Sequence, residues 1–384
     1  MAEKIIYPLF VALFCLPVVV CGQTIEDGQL AGGQDEVRVP ANQSETFEAK
    51  VLEVLEIKEV MGEDGKKVTS QELRLEGLSG KWKNREPILA GAELDYFANS
   101  AFKKGDGVVV SYDKDANGHD IFYVTNFIRR GKLYFLAAIF LAIILLVGRW
   151  WGFRAILGLV FSLLVIIKFI IPKILTGGNP LYISLVYSFI IIIVGTYLVY
   201  GLNKKSSVSI LGISLSIAVV GILSVFFANL CRLAGFAQEE TIFITGLTGG
   251  AIDLRGLLLA GFIIGALGVL DDLAVSQVSV VQELHKLNPG LPKMEIYKRA
   301  MRVGVDHISS MVNTLFLAYA GVSLPLLLLF TFKQPPFETF GQVINHEVIA
   351  IEIIRTLVGS IGLAVAAPIT TFLAAHFYAR KINN

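Results

Sequence analysis

Residues 265–284, GALGVLDDLAVSQVSVVQEL, read as a membrane-spanning helix except that Asp271 and Asp272 stand side by side within it and Glu283 follows eleven positions after the second. A carboxylate in hydrocarbon costs at least a few kcal/mol, so such groups face a bundle interior or a wet cavity, and often mark an ion or substrate route. At the helical period of about 3.6, Asp272, Ser276, Ser279 and Glu283 fall on one continuous stripe, while Asp271 points about 100° away, toward the bundle edge. Upstream, Gly261, Gly265 and Gly268 allow a neighbouring helix backbone to come close.

The next apolar stretch opens GVDHISSMVNTLFLAYAG, residues 304–321, and repeats the pattern. Asp306, Ser310 and Asn313 recur at i, i+4 and i+7, with His307, Ser309 and Thr314 at the sides of that face. Antiparallel packing of the two helices is expected to bring the stripes together, with Asp272 roughly 16 Å deeper than Glu283 at 1.5 Å per residue. The competing structural reading is strongest for Glu283 and Asp306, which cap a helix end or pair with the basic turn between the two helices.

The surrounding chain has the same character. Of its 384 residues, 54% are hydrophobic and 17% charged, and the mean hydropathy is +0.65, which is too apolar for a soluble domain. Apolar runs predict seven core transmembrane helices at about 133–148, 153–175, 181–201, 207–231, 256–280, 307–330 and 355–378. The basic residues of the short loops cluster on one side: Arg149 and Arg154, Lys204 and Lys205, the group Lys286, Lys293, Lys298, Arg299 and Arg302, and the tail Arg380 and Lys381. Positive-inside counting makes that side cytoplasmic and places the carboxyl terminus inside, although Arg129 and Arg130 run against the rule. The expected localisation is a multi-pass protein of the bacterial cytoplasmic membrane. A net charge of +1 with no basic face excludes nucleic acid as a partner.

Ahead of these spans the chain divides in two. Residues 1–22 hold an apolar segment that is either a signal peptide cleaved near Cys21 or a retained membrane anchor. Residues 37–127 carry short alternating runs such as QELRLEG and GDGVVVSYD, predicting an extracytoplasmic β-rich domain, OB-like in outline, before the membrane domain at 130–384. Within it Asp113, Asp115, Asn117 and Gly118 resemble the start of a calcium loop. Val124 stands where the bidentate glutamate is needed, so a hairpin tip is the better reading and no metal is expected. Cys15, Cys21 and Cys231 form no redox or metal motif.

Three further features are weaker. GLTGGAIDLRG, residues 246–256, is either an external connection or a re-entrant element. Glu352 and Arg355, spaced i, i+3, read as an interfacial ion pair. His285, His346 and His376 are isolated, and HEVIA lacks the second histidine of a zinc-protease motif.

The two stretches together resemble the YibE/F-like family of bacterial multispanning membrane proteins, over about 130–380. The family pattern of a glycine-rich span leading to Asp, Ala and Ser is matched by Asp272, Ala274 and Ser276. A second block is matched by Gly304, Asp306, Met311, Asn313, Thr314 and Leu315. Asp271 is an extra acid, His307 takes a place usually apolar, and Ser309 replaces a glycine. The resemblance implies a membrane fold and suggests a permease role without fixing a reaction.

The residues favour a permease for a small ion or solute, with a route along Asp272, Ser276, Ser279, Glu283, Asp306, Ser310, Asn313 and Thr314, proton coupling through Asp272 and Asp306, and Asp271 and His307 secondary. An intramembrane hydrolase with paired aspartates is the alternative. The GVLDD stretch departs from the GxGD pattern of membrane aspartyl proteases, which weighs toward a non-enzyme. A non-catalytic envelope assembly or sensory protein is the third reading. No cofactor is expected. The expected partners are the lipid bilayer, a small ion or solute, and a second copy or a partner subunit. Without a GxxxxGK[ST] sequence, any ATP-driven function needs such a subunit.

Overall fold

A computed structural model describes residues 45–61, 67–93, 101–114, 120–236, 239–333, 335 and 337–378. The amino-terminal signal or anchor reading and the tip of the calcium-like loop lie outside the described residues. The described residues form two compact units, one within residues 22–142 and one within residues 143–384.

The first unit holds five strands: β1 (Glu45–Met61), β2 (Lys67–Gly77), β3 (Ile88–Glu93), β4 (Gly107–Lys114) and β5 (Asp120–Phe127). They form one antiparallel sheet in the order β3-β2-β1-β4-β5. Alternation puts Phe47, Ala49 and Val51 of β1 on the buried face with Leu73 and Leu75 of β2 and Val108 and Val110 of β4. The long β1 carries register shifts between Val51 and Glu53 and between Val54 and Glu56, where an extra residue bends a strand. Buried Gln71 accepts a bond from the Phe102 backbone N–H at 2.7 Å, which satisfies both polar groups inside the apolar layer. At the end of the unit the guanidinium of Arg130 clasps the Glu48 carboxylate through two bonds of 2.6 and 2.8 Å.

The remainder is helical. Helix α1 (Arg130–Val165) is interrupted at Arg149, whose φ of 46° and ψ of −124° are non-helical. It runs through a π-helical segment (Ile166–Ile170) into α2 (Ile171–Leu175). Then come α3 (Pro180–Tyr200), α4 (Lys204–Leu230), α5 (Glu239–Thr248), α6 (Leu254–Leu287), α7 (Lys293–Val322), α8 (Leu324–Thr331), α9 (Phe340–Asn345) and α10 (Glu347–Tyr378). Among the described residues, five helical stretches are long and apolar enough to cross a membrane: Arg130–Leu175, Pro180–Tyr200, Lys204–Leu230, Leu254–Leu287 and Glu347–Tyr378.

Their ends follow local chemistry. Asn179, Asn203 and Asp253 cap α3, α4 and α6 by accepting the backbone N–H of Tyr182, Ser206 and Gly256. The α6–α7 turn contains Asn288, Pro289 and Gly290, and Pro292 directly precedes α7. The GLTGG segment forms the end of α5, which stops where Gly249 and Gly250 adopt positive φ values of 58° and 80°.

Helix α6 is the hub. Its Ile263, Leu270, Leu273 and Ala274 are buried against Ile213, Ile217 and Val220 of α4 and Leu363, Ala366 and Ala367 of α10. Small residues set the spacing: a Cβ on Gly212 of α4 would stand 2.4 Å from Thr370 Oγ1 of α10, and one on Gly362 of α10 would stand 2.2 Å from Val220.

Candidate functional site

A cavity of about 550 Å³ opens between the second half of α1, α3 and α6. Each helix gives it one face at the helical period: Ala155, Gly158 and Ser162 from α1, Ile192, Thr196 and Tyr200 from α3, and Ile264, Gly268, Asp271 and Asp272 from α6. Glycines make part of the space, since a Cβ added at Gly195 or Gly268 meets nothing within 4 Å. The π-helical segment begins at Ile166, itself a wall residue, and such segments recur at functional sites.

Asp271 is the more enclosed of the two acids. It is half-buried, and Thr196 Oγ1 lies 3.5 Å from its Oδ1, at the outer limit of a donated hydrogen bond. The rotation of about 100° that takes Asp271 off the serine stripe is what turns it toward α3. The expectation that it points to the bundle edge is therefore corrected: α3 and α1 stand on that side of α6. Asp272 is exposed and lines the same cavity, and His307 of α7 is close enough to interact with it electrostatically.

The rest of the Asp272 stripe lies on the least buried side of α6. Ser276 and Ser279 are half-buried, with Ser279 Oγ donating to the Val275 carbonyl at 2.7 Å. Glu283 is exposed and bonded to Lys286 at 2.7 Å. On α7 the buried residues are Ile296, Ala300, Gly304 and Leu315, whereas Asp306, Ser310, Asn313 and Thr314 are exposed. About 200° of helical rotation separates Asp306 from Gly304, so the α7 stripe faces away from the packed side. The expected meeting of the two stripes is thus corrected as well: α7 packs through its glycine and aliphatic residues, which fit against α6 more closely than its polar ones.

What α6 buries instead is Gln277. Fully enclosed, it accepts a bond from Thr371 Oγ1 at 2.9 Å, and Gly304 of α7 approaches so closely that a Cβ there would stand 3.0 Å from its Oε1. Ser209 Oγ, Thr370 Oγ1 and Gln277 Nε2 are buried and have no hydrogen-bond partner among the described residues. This neutral polar seam joins α4, α6, α7 and α10. The sequence signal for it was faint, since serine and threonine are common in membrane helices and Gln277 sits on no acidic stripe.

The other ionic feature is on α10, where Arg355 and Glu352 pair at 2.9 Å, with side chains 20% and 15% exposed. The guanidinium also lies 5.4 Å from the ring centre of Phe262. Among the described residues, no three His, Cys, Asp or Glu side chains converge as a metal ion would need.

Apolar helices of membrane length, packed through glycines around buried hydroxyls and an amide, define a multispanning α-helical membrane protein. The family described as YibE/F-like protein matches residues 136–380, and the chain belongs to that family. No curated protein matches the chain. No solved structure matches it either.

Proposed function

We propose that the chain is a permease for a small ion or solute, coupled to protons through its intramembrane carboxylates. One observation carries this reading: the cavity of about 550 Å³ between α1, α3 and α6, walled by both Asp271 and Asp272. Carboxylates are tolerated in a bilayer where water or cargo reaches them, and a glycine-opened space beside them supplies that access. Asp271 and Asp272 form its acidic centre, with Thr196, Ser162 and Tyr200 as neutral lining.

In this reading the membrane domain has seven core spans. The interruption at Arg149 divides the first long stretch in two, and α7 with α8 adds a further crossing despite its polar face. The positive-inside distribution supports a bacterial cytoplasmic membrane protein with the β-domain outside and the carboxyl terminus in the cytoplasm. The strand order β3-β2-β1-β4-β5, with a long bent β1 pairing to both β2 and β4, supports an OB-type sheet. The outward Asp306, Ser310, Asn313 and Thr314 face favours a homo-oligomer or a partner subunit, because a polar stripe within a bilayer is stabilised by protein contact.

The test is solute and ion uptake by reconstituted vesicles, with and without a pH gradient. Asp271→Asn and Asp272→Asn are expected to lower uptake about a hundredfold or more while leaving insertion and thermal stability intact. Uptake by both variants equal to wild type would overturn the assignment.

A further inference from the structure

A second cavity, of about 320 Å³, lies where the ends of α3 and α10, the start of α4 and the middle of α1 meet α6. Its chemistry is opposite to that of the first. Among the described residues, Lys204 and Lys205 line it and no carboxylate does. Lys204 Nζ sits 4.8 Å from the Tyr378 ring centre and donates to the Phe377 carbonyl, which holds the ammonium at the cavity wall. Lys205 Nζ sits 5.2 Å from the ring centre of Tyr200. Neither contact neutralises a charge, and Glu283, the acid close enough to act on Lys205, is itself bonded to Lys286 at 2.7 Å, so two cations face one space. Asn203 is committed to the turn, donating to the Tyr200 carbonyl and capping Ser206, so the lysines are fixed at their backbone.

Around the lysines the cavity is walled by the aromatic rings of Trp151, Tyr200 and Tyr378 and by the amides of Asn203 and Gln282. Trp151 lines it and is held by Arg154, whose guanidinium lies 5.5 Å from its ring centre and whose Nε donates to the Leu198 carbonyl at 2.8 Å. Trp150 and Leu202, next in the chain to the lining residues Trp151 and Asn203, are 67% and 85% exposed. Tryptophan and lysine at the end of a membrane helix mark the headgroup level, and basic pockets between helices on the cytoplasmic side suit phosphate headgroups. A free phosphate would use the lysines and leave Trp150 and Leu202 unused. A phosphate carrying acyl chains uses both.

We infer that the Lys204–Lys205 cavity binds the headgroup phosphate of an anionic phospholipid, with its acyl chains lying against Trp150 and Leu202. The site is separate from the carboxylate cavity and does not depend on the permease reading. Tyr200 lines both cavities, so the bound lipid shares a wall with the carboxylate site.

The test is native mass spectrometry of the purified full-length chain in neutral detergent, titrated with phosphatidylglycerol, phosphatidylcholine or inorganic phosphate. Wild type is expected to retain phosphatidylglycerol in preference to phosphatidylcholine. Lys204→Gln with Lys205→Gln is expected to bind it about thirtyfold more weakly, the size expected for two lysines at a membrane surface. Lys205→Gln alone spares the Lys204–Phe377 contact, covers the case in which the double variant fails to fold, and is expected to weaken binding about fivefold. The control Lys173→Gln, whose ammonium lies against Tyr187 away from this cavity, should change it less than about twofold. Equal phosphatidylglycerol binding by wild type and a folded Lys205→Gln variant would overturn the site. Displacement of the lipid by equimolar inorganic phosphate would overturn its assignment to a lipid.

Discussion

Two polar regions lie on either side of α6, and the helix treats them differently. Toward α1 and α3 it presents Asp271 beside open space, with Gly195 and Gly268 leaving room unfilled. Toward α4, α7 and α10 it presents Gln277 in a seam where backbones touch and glycines are filled by their neighbours. Ionisable groups therefore occur where water or a ligand can reach them, and neutral amides and hydroxyls occur where nothing can. The contrast follows from the cost of burial: a dry, unpaired carboxylate is far more expensive than an amide with one satisfied atom. It separates the part of the bundle suited to function from the part that holds it together.

Filling the open side is the strongest way to break this comparison. Gly268→Leu adds volume where no atom stands within 4 Å, so uptake is expected to fall at least tenfold while the thermal midpoint stays nearly unchanged. A large loss of stability would mean the space is structural. The closed side should respond in the opposite sense. Gly212→Leu forces a side chain into Thr370 and is expected to destabilise by about 3 kcal/mol through overpacking, read as a lowered unfolding midpoint in detergent.

A gentler probe of the seam is Thr371→Val, which removes the 2.9 Å bond to Gln277 and leaves that amide without its partner. The expected loss is about 1 kcal/mol, the upper range for interhelical bonds in membranes, with uptake unaffected. The smallest effect lies in the sheet. Tyr112 donates to Asp120 at 2.8 Å, and this bond raises the phenol above its ordinary value. With the folded-state value raised, the stabilisation is complete below about pH 10 and is lost as pH rises through the folded value. Ultraviolet titration of wild type against Tyr112→Phe should therefore show the missing phenol as a late-titrating one.

Much of this was legible in the sequence, and particular residues show where legibility stops. The apolar runs beginning at about 181, 207 and 256 placed the starts of α3, α4 and α6 within about three residues of Pro180, Lys204 and Leu254, because hydropathy depends on neighbouring residues alone. The serine and aspartate stripes were also correct as helical faces. Their direction was not legible. Helix α6 is apolar on most of its circumference, so periodicity offers no single face to assign inward, and the acids drew attention to the side that in the structure is least buried. Gln277 was hidden for the same reason, since a lone amide among aliphatic residues carries no periodic signal.

By itself the sequence determined that this chain enters a membrane as long apolar helices behind a β-rich domain, and that acids stand within one of them, since hydropathy and helical period are local properties of the chain. Only the tertiary structure decided that Asp271 joins Asp272 at a cavity, that the Asp306 face turns outward, and that Gln277 closes the core. Those outcomes depend on which helices come to lie beside α6 and how closely their glycines let them approach, a property of the assembled bundle and of no single segment.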